Sequence, residues 1–208
     1  MEVACVLVRD GRVLATMQWL INPGIPMKAA AFAIHGISDA MLANAPSAAV
    51  VMPLVRQFVG ACPLVAHNAA FDSKCWFSEL AHCGLPFAVP PPFVCTMAIA
   101  RNLYQPGTSM KLGNLAKYLH LGLPSEGAGP DDRPHQALAN ALMTAKLFFR
   151  QQLDLSLIRN VADPDNLETL LGFMTHGAKN RPEKTNDPVG REMYDRLALL
   201  GSEGLYEP

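Results

Sequence analysis

The chain has 208 residues, half of them hydrophobic and 17% charged, with a formal net charge of −1. That is apolar material for one domain with an appendage and too little charge for a disordered chain. Near-neutrality also argues against a surface that coats nucleic acid through many phosphate contacts, while leaving room for an enzyme that grips a single strand end.

In chain order, Val3–Val8 and Val13–Ile21 are β-prone runs separated by Arg9-Asp10-Gly11-Arg12, and the Asp-Gly pair predicts a hairpin. Asn22-Pro23-Gly24 ends it, and a short irregular stretch is expected through Ala33–Ser38. From Ser47, a candidate N-cap, apolar residues at Val50, Val51, Leu54, Val55, Phe58 and Val59 follow helical spacing, with Pro53 as a kink or first-turn residue. Pro63–Ala66 reads as a short buried strand and Asn68–Cys83 as a helix closed by Gly84, with Asp72 in its first turn. Phe93–Cys95 is another short strand, Thr96 a candidate cap for a helix to about Leu103, and Leu112, Leu115 and Leu119 mark a further short helix. A Gly-, Pro- and Asp-rich loop ends at His135. Ala137, Leu138, Ala141, Leu142, Ala145, Phe148 and Phe149 then trace an amphipathic helix. Leu167–Met174 and Arg191–Leu200 are weaker helical patterns. The expected organisation is a domain over residues 1–155 and a helical or irregular extension over 156–208.

The longest apolar runs fall far short of the roughly 20 residues that cross a bilayer, and the N-terminus lacks the pattern of a secretory signal. The expectation is a cytoplasmic protein without a membrane partner. Five cysteines with no C-x-x-C pair and no zinc-like spacing read as reduced, mostly buried thiols. Cys75, His82 and Cys83 are read as residues on or beside one helix, not as a metal site.

Two segments are more specific. Leu64-Val65-Ala66-His67-Asn68-Ala69-Ala70-Phe71-Asp72 resembles the second motif of the DnaQ-like (DEDDh) 3′→5′ exonuclease family, the proofreading type. Arg133-Pro134-His135-Gln136-Ala137-Leu138-Ala139-Asn140-Ala141 resembles the third motif of its histidine-bearing branch, in which His is followed after four residues by Asp. Here the histidine position is His135 and the aspartate position holds Asn140. Weaker matches, Asn22-Pro23-Gly24 with Ala33–Asp39 and Cys95-Thr96-Met97-Ala98, fall in the same order, so the resemblance covers about residues 1 to 150.

The resemblance implies an α/β fold of the ribonuclease-H-like kind, a mixed sheet flanked by helices. It implies two-metal hydrolysis at a nucleic-acid 3′ end, DNA ahead of RNA although the motifs do not decide between them, with Mg²⁺ or Mn²⁺ held by four acids. His135 would be the general base, Asp72 a metal ligand with Asn140 at a second ligand position, and Asn68, Phe71 and His35 would meet the terminal nucleotide. Phe71 is equally readable as core. The family's first motif, Asp-x-Glu on the central strand, would stand ahead of Met1-Glu2-Val3-Ala4, so the sheet is expected to lack that strand. With Asp72 as the one retained acid, the expectation is an impaired or inactive nuclease. Glu2, Asp131 and Asp132 are conceivable substitutes, more simply read as solvated acids. The competing expectation is a non-catalytic module that binds nucleic acid or a DNA polymerase subunit.

Overall fold

The computed structural model describes residues 1–86, 91–104, 107–122, 136–159 and 161–176. These hold a mixed set of strands and helices, with two separate two-stranded sheets. The described residues of Met1–Leu64, Ala70–Phe93 and Ser125–Leu142 form one compact unit, and those of Val65–Ala69, Val94–Pro124 and Met143–Pro208 a second.

The first unit opens with the expected hairpin. Strands β1 (Glu2–Arg9) and β2 (Arg12–Leu20) pair antiparallel, with Cys5 opposite Met17 and an irregularity between Leu7 and Val8. The connecting residues Asp10 and Gly11 both take positive φ, 50° and 73°, which is the geometry that matches a tight turn to the twist of its strands. Alternate β1 residues Val3 and Cys5, together with Met17, pack against Ile21, Val51, Met52, Val55, Val59 and Leu80. Burial of Cys5 pushes its thiol up to about 11, so it is an inert packing group. Trp19, by contrast, stays 37% exposed.

Helix α1 (Ala29–His35) occupies much of the stretch expected to be irregular. It lacks a side-chain N-cap, which is why the sequence signals it weakly, and it ends at Gly36 in the left-handed conformation with φ 69°. Ser38 then caps the short helix α2 (Asp39–Leu42) by accepting from the Met41 N–H. Helix α3 (Ala48–Val59) follows Ser47 as expected and carries Pro53 inside it, on an exposed position. Strand β3 (Leu64–Ala66) leads into α4 (Ala69–His82), which closes at Gly84, φ 68°, with the Leu85 N–H on the Leu80 carbonyl.

The second sheet pairs β3 with β4 (Phe93–Cys95). Helices α5 (Thr96–Leu103), α6 (Leu112–Tyr118), the later turns of α7 (Gln136–Arg159) and α8 (Leu167–His176) belong to the second unit. Its core joins Val94, Ile99, Leu103, Leu115, Leu147, Leu155 and Leu170. Asn102 ties α8 to α5 by donating to the carbonyls of Phe173 and Met174. Thr96 is not the cap expected of it. Cys95 holds the N-cap position, and the Thr96 hydroxyl is engaged elsewhere.

The expectation for the thiols also needs correcting. All five cysteines are free, but Cys62 and Cys75 are exposed and the other three only half-buried. The loop leading to His135 and the helical pattern at Arg191–Leu200 lie outside the described residues.

Candidate functional site

The second-motif segment passes from β3 through His67 and Asn68 into α4. Asn68 has φ 65°, a left-handed conformation that most side chains resist and that asparagine tolerates because its amide can bond locally. This one residue turns the chain from strand to helix. Its side chain is exposed.

Three residues on, Phe71 is 65% exposed, so it is not part of the core. Asp72 is also exposed and sits in the first turn of α4, where a carboxylate is favoured by the helix dipole. In the same unit Asn140 is exposed on the second turn of α7. His35, the last residue of α1, is half-buried and accepts the Ile37 N–H at its Nδ1, 3.0 Å. His135, Asp131 and Asp132 lie outside the described residues.

Glu2 has a definite place that its sequence position did not signal. One carboxylate oxygen accepts from Gln18 Nε2 at 2.7 Å, and the other from the backbone N–H of Ala137 at 3.2 Å. It therefore caps the first turn of α7, the helix that carries Asn140, from 135 residues away in sequence. A carboxylate on an otherwise orphaned helix N–H is a charge-assisted bond aided by the dipole.

His67 is the other residue that sequence reasoning passed over. Its Nδ1 lies 2.9 Å from Thr96 Oγ1 and its Nε2 2.7 Å from the Met110 carbonyl. Its place directly before Asn68 inside the motif was the available signal.

A pair of divalent ions carries four positive charges and takes oxygen ligands, several of them carboxylates. Among the described residues the motif positions supply one carboxylate, Asp72, and one neutral amide, Asn140. No described group of three or more His, Cys, Asp or Glu stands together. This donor set does not fit two Mg²⁺ or Mn²⁺ ions. Asn140 can lend a carbonyl oxygen but no charge.

Comparison with known proteins bears on this geometry. The RNase_T family model, described as Exonuclease, matches residues 1–148. Exodeoxyribonuclease 10 of Escherichia coli K12 is 36% identical over 146 residues, covering 70% of this chain and 59% of that protein. The DNA polymerase III subunit epsilon-like protein of Rhodobacter capsulatus is 32% identical over 151 residues, 72% of this chain and 20% of that protein. A PolC-type DNA polymerase III of Caldanaerobacter subterraneus is 29% identical over 149 residues, 72% of this chain and 10% of its own length. The chain thus spans between 10% and 59% of the length of these curated relatives. Among solved structures, Exonuclease X in complex with 5′ overhanging duplex DNA superposes with a TM-score of 0.60 at 28% identity, covering 83% of this chain and 89% of that one. The fold is the α/β, ribonuclease-H-like exonuclease fold.

Proposed function

We propose, since this chain belongs to the RNase_T exonuclease family, that it binds the 3′ end of a DNA strand and is a 3′→5′ exonuclease domain with an impaired metal centre. The observation that carries this reading is the β3–α4 turn: a left-handed Asn68, then Phe71 with an exposed ring and Asp72 with an exposed carboxylate at a helix start. An aromatic face in water stacks on a base without regard to sequence, and an amide can hydrogen-bond a terminal sugar or base. His35 is assigned to the edge of the nucleotide site. His135 is assigned as the proton acceptor from the attacking water, since an imidazole titrates near about 6.5 and needs no strong tuning for that task.

Hydrolysis is weak because position 140 holds an amide where the family pattern has a carboxylate. Both oxygens of Glu2 accept protein hydrogen bonds, which favours a capping role for it over replacement of a missing ligand. The same two facts favour a second reading, a non-catalytic module that holds a DNA end or a polymerase subunit. The names of the polymerase III relatives make a polymerase the partner to try first.

Anisotropy of a labelled single-stranded 3′ end, followed by Mn²⁺-dependent mononucleotide release, tests the reading. The expected result is binding with little release, a modest gain on Asn140→Asp, and none of that gain in Asp72→Ala with Asn140→Asp. Absence of binding sinks the proposal. Full activity of the unmodified chain, lost on Asp72→Ala, would mean that Glu2, Asp131 or Asp132 supplies the charge and that the centre is not impaired.

A further inference from the structure

A chain of polar contacts runs through the second unit from α7 to the turn before α4. Gln151, fully buried, donates Nε2 to the Thr96 carbonyl at 2.8 Å. Thr96, also fully buried, places Oγ1 2.9 Å from His67 Nδ1, and His67 Nε2 lies 2.7 Å from the Met110 carbonyl.

The proton positions follow from the partners. A carbonyl only accepts, so Nε2 carries hydrogen. Thr96 has one hydroxyl proton and two acceptors in reach, His67 Nδ1 at 2.9 Å and the Ala66 carbonyl at 3.4 Å. Whichever of the two takes it, the ring carries hydrogen on Nε2 and is bonded at both nitrogens.

This arrangement carries a cost that a packed apolar cluster would avoid. Gln151 Oε1 is buried with no hydrogen-bond partner among the described residues. An orphaned buried acceptor is unfavourable, and polar groups retained at such cost fix one arrangement where apolar side chains tolerate several. What the arrangement fixes is local. His67 immediately precedes Asn68, whose positive φ must be held by its surroundings, and Met110 lies in the segment that leads into α6.

We propose that His67 is a positioning residue: pinned at both ring nitrogens, it locks the β3–α4 turn to the Gly107–Lys111 segment and so fixes the direction in which Asn68 is presented to a 3′-terminal nucleotide. The role rests on the exonuclease reading. The lock itself does not.

The full chain tests both levels. Imidazole ¹⁵N spectra of the unmodified protein are expected to show the Nε2–H tautomer at His67, and an Nδ1–H tautomer would overturn the lock. His67→Phe keeps a ring and removes both bonds, and is expected to weaken binding of a labelled single-stranded 3′ end about ten-fold, the scale of one or two lost hydrogen bonds. His67→Gln can still donate to Met110 and should recover part of that loss, whereas His67→Asn, too short to reach Met110, should not. Affinity unchanged in His67→Phe, or Asn equal to Gln, overturns the positioning role. If His67→Phe does not fold, Thr96→Val removes the Nδ1 partner at almost constant shape and must show a smaller loss in the same direction. An unmodified chain that fails to bind the strand at all overturns the exonuclease reading and the positioning role together, while the tautomer still decides the lock.

Discussion

The two units differ in what their cores contain. The buried polar side chains of the described residues, Thr96, Asn102, Thr144, Arg150, Gln151 and Asp154, all belong to the second unit. There Asp154, 1% exposed, accepts from Arg150 Nε at 2.8 Å and from the Tyr104 hydroxyl at 3.0 Å, while Arg150 also reaches the Leu119 carbonyl. The first unit closes on an apolar cluster that includes Ile21, Val51, Met52, Val55, Val59 and Leu80, and its Phe71, Asp72 and Asn140 are exposed. A polar core penalises every alternative packing, whereas an apolar one tolerates several. The contrast teaches that one core is held by polar pairs and the other by apolar packing.

The contrast breaks most sharply at Arg150. Arg150→Ala leaves the Asp154 carboxylate buried without its counter-charge, and should cost about 3–5 kcal/mol in denaturant unfolding. The pH dependence has a definite sign. Burial raises Asp154 above its ordinary 3.8, with Arg150 and the hydrogen bonds pulling it partly back. The native state therefore holds this proton more tightly than the unfolded chain, so the group's contribution is full below about 3.8 and lost as pH rises through its raised native value. Without Arg150 that value rises further. The variant's deficit should thus be smallest near pH 4 and grow toward neutrality; a deficit that shrinks on the same path would contradict this account.

A middling effect is expected in the first unit, where Glu2→Ala removes the cap on α7. It should cost about 0.5–2 kcal/mol and accelerate hydrogen exchange at the Ala137 amide. Unchanged exchange there would show that the cap is idle. The smallest effect on stability belongs to Phe71→Ala. An exposed ring should change the unfolding free energy by less than about 0.5 kcal/mol, against about 3–5 for a buried one. Affinity for a DNA 3′ end should nonetheless fall about ten-fold or more, as loss of one stacking platform requires. A large loss of stability with unchanged binding would return Phe71 to the core.

What the sequence revealed follows from the range over which each signal acts. Asp10-Gly11 announced the hairpin and Gly84 the end of α4 because turn chemistry is local. The motif from Leu64 to Asp72 was equally legible, since strand, turn and helix start are contiguous. Helix α1 was missed because an alanine-rich segment without a capping side chain looks like a linker until Gly36 closes it. Thr96 was misread as a cap because its actual partner, His67, is 29 residues away, and the cap on α7 comes from Glu2 at a separation of 135. Long-range polar pairs leave no periodicity to read. For the same reason the i,i+4 spacing of Arg150 and Asp154 gave no hint that Tyr104, 50 residues away, joins them.

The two-residue turn at Asp10–Gly11 also sets a timetable. A hairpin joined by so short a loop forms within about 1–10 microseconds, since almost no chain must be gathered before the first cross-strand bonds close. The pairing of β3 with β4 must instead wait for the whole of α4 to be drawn in between them. The face formed by Val3, Cys5 and Met17 is therefore ready before the rest of its core, and α3, whose Pro53 weakens it as a free helix, has a surface to condense on. In refolding experiments, destabilising the Asp10–Gly11 turn should slow folding, whereas loosening the β3–β4 pair should mainly speed unfolding.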